Sequence, residues 1–166
     1  MQEILLILIL ILSYSLYYMI KSRLAIFFPS FTPMIRIIES LARARSNDII
    51  YDLGSGDGRV LEVFVRKGIR CVGIEKSNLL VKLSKKRLGK YKNVKIIKGD
   101  ILNQDLSEAT IIIAYLSRFL TKDIESKIKK ECKKGTKIIL VSYSFDSLRP
   151  IEIRKWFWMP ISLYVL

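Results

Sequence analysis

Three carboxylates and a run of small residues carry the chemistry of this chain. Tyr51-Asp52-Leu53-Gly54-Ser55-Gly56-Asp57-Gly58-Arg59 follows an apolar, β-branched run (Ile49, Ile50) and leads into Val60, Leu61, Val63 and Phe64. An acid at the end of a strand followed by three alternate glycines marks a ligand-binding bend. A chain leaving a strand for a helix must turn sharply, often with φ above zero, and glycine does so at little cost. A backbone without Cβ atoms also lets a ligand come close. The spacing is G-x-G-x-G, not the G-x-G-x-x-G that seats a pyrophosphate at a helix N-terminus, and the Asp52 carboxylate would repel a pyrophosphate. It suits a ligand with a cationic amino-acid end.

Two further acids close neighbouring strands. Cys71-Val72-Gly73-Ile74-Glu75 places Glu75 about 20 residues past the glycines, where an acid hydrogen-bonds ribose hydroxyls in doubly wound folds. Its plainer reading is a surface Glu capping a helix that starts near Ser77. Asp100 follows the run from Val94 to Gly99, and the Gly99-Asp100 pair would also serve as an ordinary turn.

The elements that must position these groups alternate. The pattern predicts a helix opening at Thr32, as N-cap, with Pro33 at its first position and Met34, Ile35, Ile37, Ile38, Leu41 and Ala42 near helical spacing. Strands are expected over 49–52, 70–74, 94–98, 110–115 and 136–142, and helices over 59–66, 78–88 and 122–131. Gly68, Gly89 and Gly135 stand where helix ends or turns are wanted. Alternating strands and helices argue for an α/β fold, a Rossmann-like parallel sheet with helices on both faces. Two last strands, over 151–156 and 161–165, are joined through Trp158, Met159 and Pro160 and read as a C-terminal antiparallel hairpin.

The chain has 166 residues, enough for one domain with a substantial core. Its hydrophobic content of 51% is concentrated at the start: residues 4–20 carry no charge and are dominated by Ile and Leu. Seventeen helical residues span roughly 26 Å, near the lower limit for crossing a bilayer. Tyr14, Tyr17 and Tyr18 lie toward one end, where aromatic rings favour the interface. The residues before the run are Gln2 and Glu3 and no small-residue cleavage site follows, which favours an uncleaved anchor over a signal peptide. A hydrophobic helix packed on a partner is the other reading. The expected division is an anchor over 1–28, a single transmembrane helix, and a domain over 29–166. Lys21 and Arg23 on the domain side place that domain in the cytoplasm by the positive-inside rule.

Net charge is +14, and residues 31–166 hold 27 basic against 14 acidic side chains, or +13. Such a field favours anionic partners. An anchored domain would meet an anionic membrane surface. Nucleic acid is the weaker reading, because aromatic residues are not interleaved with the basic runs. There is no histidine, which removes the usual general base and the Ser-His and Cys-His hydrolase arrangements. Two cysteines, Cys71 and Cys132, offer neither a disulfide framework nor a metal cluster, so no metal is expected.

Asp52-Leu53-Gly54-Ser55-Gly56-Asp57-Gly58 resembles the first motif of the class I, seven-β-strand methyltransferases, whose methyl donor S-adenosylmethionine has a cationic amino-acid end. The terminal hairpin on an otherwise parallel sheet is also that fold's signature. From about Thr32 to Leu166 the chain resembles the archaeal protein-lysine methyltransferases and their mitochondrial relatives that methylate membrane-associated proteins. The resemblance rests on Phe31-Thr32-Pro33, the glycine motif, Val72-Gly73-Ile74-Glu75, Leu106 to Thr110, Lys134-Gly135-Thr136 and the closing Leu163 to Leu166. Those relatives commonly have P-T-P before the first helix, and Phe31 replaces the first Pro. The mitochondrial members also carry an N-terminal hydrophobic segment.

The resemblance implies S-adenosylmethionine as cofactor and protein lysine ε-amines as substrate. It implies that Asp52 acts on the donor's methionine end, Gly54, Ser55 and Gly56 pack backbone against it, and Glu75 holds the ribose. It further implies that Asp100 contacts the adenine amino group with Ile101 against the ring, and that Thr32 closes over the methionine carboxylate. Nucleic-acid methyltransferases usually carry an N/D-P-P-Y/F tetrapeptide after the fourth strand. Ala114-Tyr115-Leu116-Ser117 stands there and has no carboxamide or Pro pair to hold a base. Tyr115 is the expected wall of the lysine channel, or else a strand-end aromatic of the core. An RNA or small-molecule methyltransferase, and a non-catalytic membrane protein that binds the donor, are the competing expectations.

Overall fold

The computed structural model describes residues 5, 6, 9, 10, 13, 14 and 30–166. The anchor expected over 1–28 therefore lies outside the described residues except at those first six positions. Among the described residues no helix is long and apolar enough to cross a membrane.

The elements run α1 (Thr32–Ala42), β1 (Ile49–Leu53), α2 (Arg59–Val65), β2 (Arg70–Glu75), α3 (Asn78–Leu88), β3 (Val94–Lys98), a 3-10 turn (Ile101–Asn103), β4 (Ile111–Ala114), α4 (Arg118–Glu131), β5 (Lys137–Val141), β6 (Glu152–Trp156) and β7 (Met159–Val165). They build one seven-stranded sheet in the order β3-β2-β1-β4-β5-β7-β6. Strands β1 to β5 are parallel, and β7 runs antiparallel to both β5 and β6. The expected Rossmann-like methyltransferase sheet with its terminal hairpin is what forms.

Strand alternation divides the core into two layers. Ile50, Ile111, Ile113, Ile139 and Val141 pack with Met34, Ile38 and Leu41 of α1 and with Leu61 and Phe64 of α2. Tyr51, Leu53, Ile112, Ile138 and Leu140 meet Ile124 and Ile128 of α4, with Leu106 and Phe145. Strand β4 is buried at all four positions, as a central parallel strand covered on both faces must be.

Three expectations are corrected. The N-cap of α1 is Phe31, not Thr32; Thr32 is the first helical residue and no side chain caps the helix. Phe31 is fixed by packing instead, its ring centroid 5.1 Å from that of Trp156. Helix α4 begins at Arg118 rather than at 122. Its first turn forms because Leu120 and Thr121 donate their amides to the Ser117 carbonyl, with the Thr121 hydroxyl joining them at 3.1 Å. Met159 and Pro160 belong to β7, not to its connection, so the hairpin turns through Phe157 and Trp158 alone. Pro160 is tolerated there because it contributes through its carbonyl, which accepts the Ser142 amide at 2.9 Å.

Candidate functional site

The carboxyl ends of β1, β2 and β3 lie side by side, the crevice in which open α/β sheets bind ligands. Asp52 stands opposite Gly73 in the β1–β2 register, and Glu75 follows Gly73 by two residues on the same face. Both carboxylates are buried. The turn after β1 takes left-handed backbone at Gly54, Gly56 and Gly58, with φ of 79°, 56° and 80°. Any other residue would be strained at those three positions.

The turn is held by its own amides. Gly54 and Ser55 both donate to the Ile74 carbonyl, at 2.9 and 3.0 Å, and Gly58 donates to the Ser55 carbonyl at 3.0 Å. Gly56 donates to Glu75 Oε2 at 3.0 Å, while Ser77 donates to Glu75 Oε1 at 2.7 Å. Glu75 thus ties the glycine turn to the start of α3. It is a buried strut, not the surface cap of the plainer reading; the cap of α3 is the Ser77 hydroxyl.

Asp52 is different. Its Oδ2 is buried without a hydrogen-bond partner. Burial, and then the neighbouring Glu75 charge, push its pKa from 3.8 up to about 7. Ser55 Oγ, next to the glycines, is likewise buried and unpaired. An orphaned acceptor of this kind costs free energy unless a ligand supplies the donor. The donor set therefore fits a ligand with a cationic, hydrogen-bonding end such as an α-amino group, and Glu75 and Asp100 would meet further hydroxyl and amino donors.

The other sequence-named residues are distributed as follows. Asp100 caps the 3-10 turn through Oδ1, which accepts the Leu102 amide at 3.0 Å, and its Oδ2 faces Lys76 Nζ at 3.4 Å. Ile101 beside it is buried. Tyr115, half-buried past β4, donates its hydroxyl to Met159 Sδ at 3.2 Å and packs against the core. Its neighbour Leu116 covers Gly54: a Cβ on that glycine would lie 3.4 Å from Leu116 Cδ2. Thr32 is exposed at the start of α1. That end of α1 reaches the site because Arg59, at the close of the glycine turn, donates to the Ser30 carbonyl at 3.4 Å. Beyond β4 and β5 a cleft of about 530 Å³ opens between Arg118, Phe119 and Lys122 on one side and Tyr143 and Asp146 on the other.

Sequence reasoning gave no role to the clamp behind the turn. Asp57 accepts from Arg59 Nε and Nη2 at 2.9 and 2.8 Å, and from Arg87 Nη2 at 2.9 Å. Arg87 Nε also donates to the Asp57 carbonyl at 3.1 Å. Burial pushes the Asp57 carboxyl up, but the bonds from Arg59 and the charges of Arg59 and Arg87 outweigh it and hold it below the usual range. The signal was half visible, since Asp57 and Arg59 lie within the motif; Arg87 lies 30 residues away.

Known proteins resemble this chain in sequence and fold. The family model described as the ANTKMT methyltransferase domain matches residues 52–152. A protein-lysine N-methyltransferase of Saccharolobus islandicus is 27% identical over 133 residues, covering 76% of this chain and 82% of that protein. A lysine N-methyltransferase of Homo sapiens, named for a component of ATP synthase, is 25% identical over 130 residues, covering 76% of this chain; the match spans only 55% of the human protein. The crystal structure of an RNA methyltransferase from Salinibacter ruber in complex with S-adenosyl-L-homocysteine superposes with a TM-score of 0.78 at 27% identity, over 83% of this chain and 93% of that one.

Proposed function

Because the chain belongs to the ANTKMT methyltransferase domain family and is an S-adenosylmethionine-dependent methyltransferase, we propose that it methylates lysine ε-amines of proteins, held to a membrane by residues 1–28. The observation that carries the lysine reading is the end of β4. Ala114-Tyr115-Leu116-Ser117 offers an aromatic wall and no carboxamide or Pro pair to grip a base. The similarity to the Saccharolobus islandicus enzyme, over most of both chains, supports the same substrate class.

S-adenosylmethionine supplies a methyl group activated by its positive sulfur, which keeps the electron pair of the broken bond. Asp52 meets the donor's amino group with its unpaired oxygen and is ionised by that contact. Gly54, Ser55 and Gly56 give the donor a surface of bare backbone. Glu75 keeps the turn in place while holding the ribose, Asp100 and Ile101 serve the adenine, and Thr32 closes over the methionine carboxylate. Tyr115 lines the approach of the acceptor. A lysine amine with an ordinary pKa of about 10.4 must enter neutral; an apolar, desolvating wall favours that form. No histidine is needed, because alignment of the two reactants can itself be worth about 7–11 kcal/mol.

The anchor is supported by the uncharged run over 4–20 and by the state of its described positions. Leu5, Leu6, Ile9, Leu10 and Tyr14 are helical and more than half exposed. Lys21 and Arg23 support a domain on the cytoplasmic side. A second reading, methylation of an RNA or small-molecule amine, is favoured by the Salinibacter ruber RNA methyltransferase match. Incubation of the full chain with methyl-labelled S-adenosylmethionine, a membrane fraction and total RNA separates the two. Label recovered as methyl-lysine after protein hydrolysis is expected; label confined to RNA or small molecules refutes the proposal.

A further inference from the structure

The last hairpin carries an aromatic ridge whose base, Trp156, packs against the core and whose tip, Phe157 and Trp158, is used by neither the core nor the ligand site. Trp156, Phe157 and Trp158 follow one another through its two-residue turn. The ring of Phe31 lies 5.1 Å from Trp156, Trp156 lies 5.1 Å from Phe157, and Phe157 lies 5.9 Å from Trp158, centroid to centroid. Phe157 and Trp158 are 74% and 83% exposed. Phe157 also holds left-handed backbone, φ 52°, which a bulky side chain adopts only at a cost. A soluble turn needs none of this; with φ above zero at its first residue alone, Gly there would serve it better. Two large aromatic side chains kept in water on a strained turn point to a function.

The topology says where the ridge sits. Strand β6 is antiparallel to β7, which is antiparallel to β5, so β6 runs with β1 to β5 and ends at their edge of the sheet. The turn therefore projects from the edge that holds Asp52 and Glu75, and Met159 at its base accepts the Tyr115 hydroxyl. The exposed cations Lys155 and Arg118 lie at this edge, Arg118 at the start of α4.

We infer that this hairpin tip inserts into the headgroup region of an anionic lipid bilayer and presses the donor-binding edge of the sheet against the membrane. The inference rests on the anchor reading of residues 1–28. Three observations select the bilayer. The uncharged run ends at residue 20, and the chain enters the domain at Ser30 and Phe31. Ten residues reach about 35 Å at most, so Phe31, and with it Trp156, stays close to the point where the chain leaves the membrane. The tip is a convex wedge of Phe and Trp, not a groove for a partner helix, and these are rings that partition to the water–lipid boundary. The cations beside it complement acidic headgroups. Such docking would restrict the acceptor to lysines close to a membrane surface.

The test uses the full chain with Trp156→Phe, which keeps a ring on Phe31 and leaves Trp158 as the only tryptophan. The protein is reconstituted into vesicles of phosphatidylcholine and phosphatidylglycerol, with and without brominated acyl chains, and floated on a density gradient. Co-flotation with a blue-shifted Trp158 emission, most of it lost to the brominated chains, is expected, and adding Phe157→Ser should weaken that quenching. Co-flotation with Trp158 emitting as in water overturns the docking and leaves the anchor standing. Failure to float overturns both. A blue shift that appears without lipid as protein concentration rises overturns the inference in favour of a second copy of the chain. None of these readouts involves methyl transfer, so loss of activity in an Asp52→Ala control would leave them unchanged.

Discussion

Replacing Asp52 by Asn should make the protein more stable and less able to bind its donor, and pH should control the first effect. The Asp52 carboxyl is buried with one oxygen unpaired, and its pKa stands at about 7 against an ordinary 3.8. A raised acid favours the folded state while protonated. That contribution is whole below the unfolded value and is lost as pH climbs to the folded one. A rise of this size corresponds to about 4 kcal/mol above about pH 7. Asn carries no such charge. The Asn variant should match wild type to within about 1 kcal/mol near pH 4 and exceed it by on the order of 2–4 kcal/mol near pH 8. For a domain of this size that is a rise of roughly 10 °C in Tm. Urea denaturation at both pH values measures the difference. Calorimetry with S-adenosylhomocysteine completes the test, because wild-type affinity should strengthen as Asp52 ionises while the variant stays weak and flat. An Asn variant destabilised equally at both pH values, or binding as tightly as wild type, would overturn this account of Asp52.

Substitutions at four other positions probe the same site. Glu75→Gln keeps one carbonyl oxygen for two amides, those of Gly56 and Ser77; stability should fall by about 1–3 kcal/mol, and calorimetry should show roughly tenfold weaker donor binding, about 1.4 kcal/mol. Gly73→Ala would put a Cβ 2.7 Å from Ser55 Oγ, 2.8 Å from Leu61 Cδ1 and 2.9 Å from Ile96 Cδ1, an overpacking of about 1–3 kcal/mol visible in the denaturation midpoint. Arg87→Met removes part of what holds the Asp57 carboxyl low. Stability from a lowered acid is present above its unfolded pKa and lost as pH falls, so the difference from wild type should be largest at neutral pH and shrink in acid, read by melts across pH. Tyr115→Phe keeps the ring and loses the hydroxyl's bond to Met159, and should keep most of kcat, whereas Tyr115→Ala should lower kcat by up to roughly a hundredfold through misplacement of the acceptor, with donor Kd unchanged by calorimetry.

What could be read from the sequence was what local chemistry dictates. Asn78–Leu88 and Val94–Lys98 emerged at their observed bounds because periodicity and flanking residues agreed. The glycine turn was legible because left-handed backbone at alternating positions has few other spellings. The misses are tertiary. Ser117 to Thr121 lacks a helical apolar stripe, and Phe119 in that turn is exposed, so the first turn of α4 rests on backbone bonds that no periodicity announces. Pro160 argued against a strand until its carbonyl found Ser142. Thr32 had the side chain of a cap, but Phe31 had Trp156 to lean on, 125 positions away in the chain. The grip of Arg87 on Asp57 joins the glycine turn to α3 and has no local signature.

The saturation of the glycine turn bears on turnover. Every amide from Gly54 to Gly56, together with that of Gly58, already has an acceptor within the protein, and Asp57 is gripped from behind. Such a floor should resist deuterium exchange like a central strand. Among the described residues, the entry to α1 meets this floor through a long bond from Arg59 to the Ser30 carbonyl. If the spent donor leaves past that entry, lipid held against Ser30 and Phe31 would slow its escape and so the catalytic cycle.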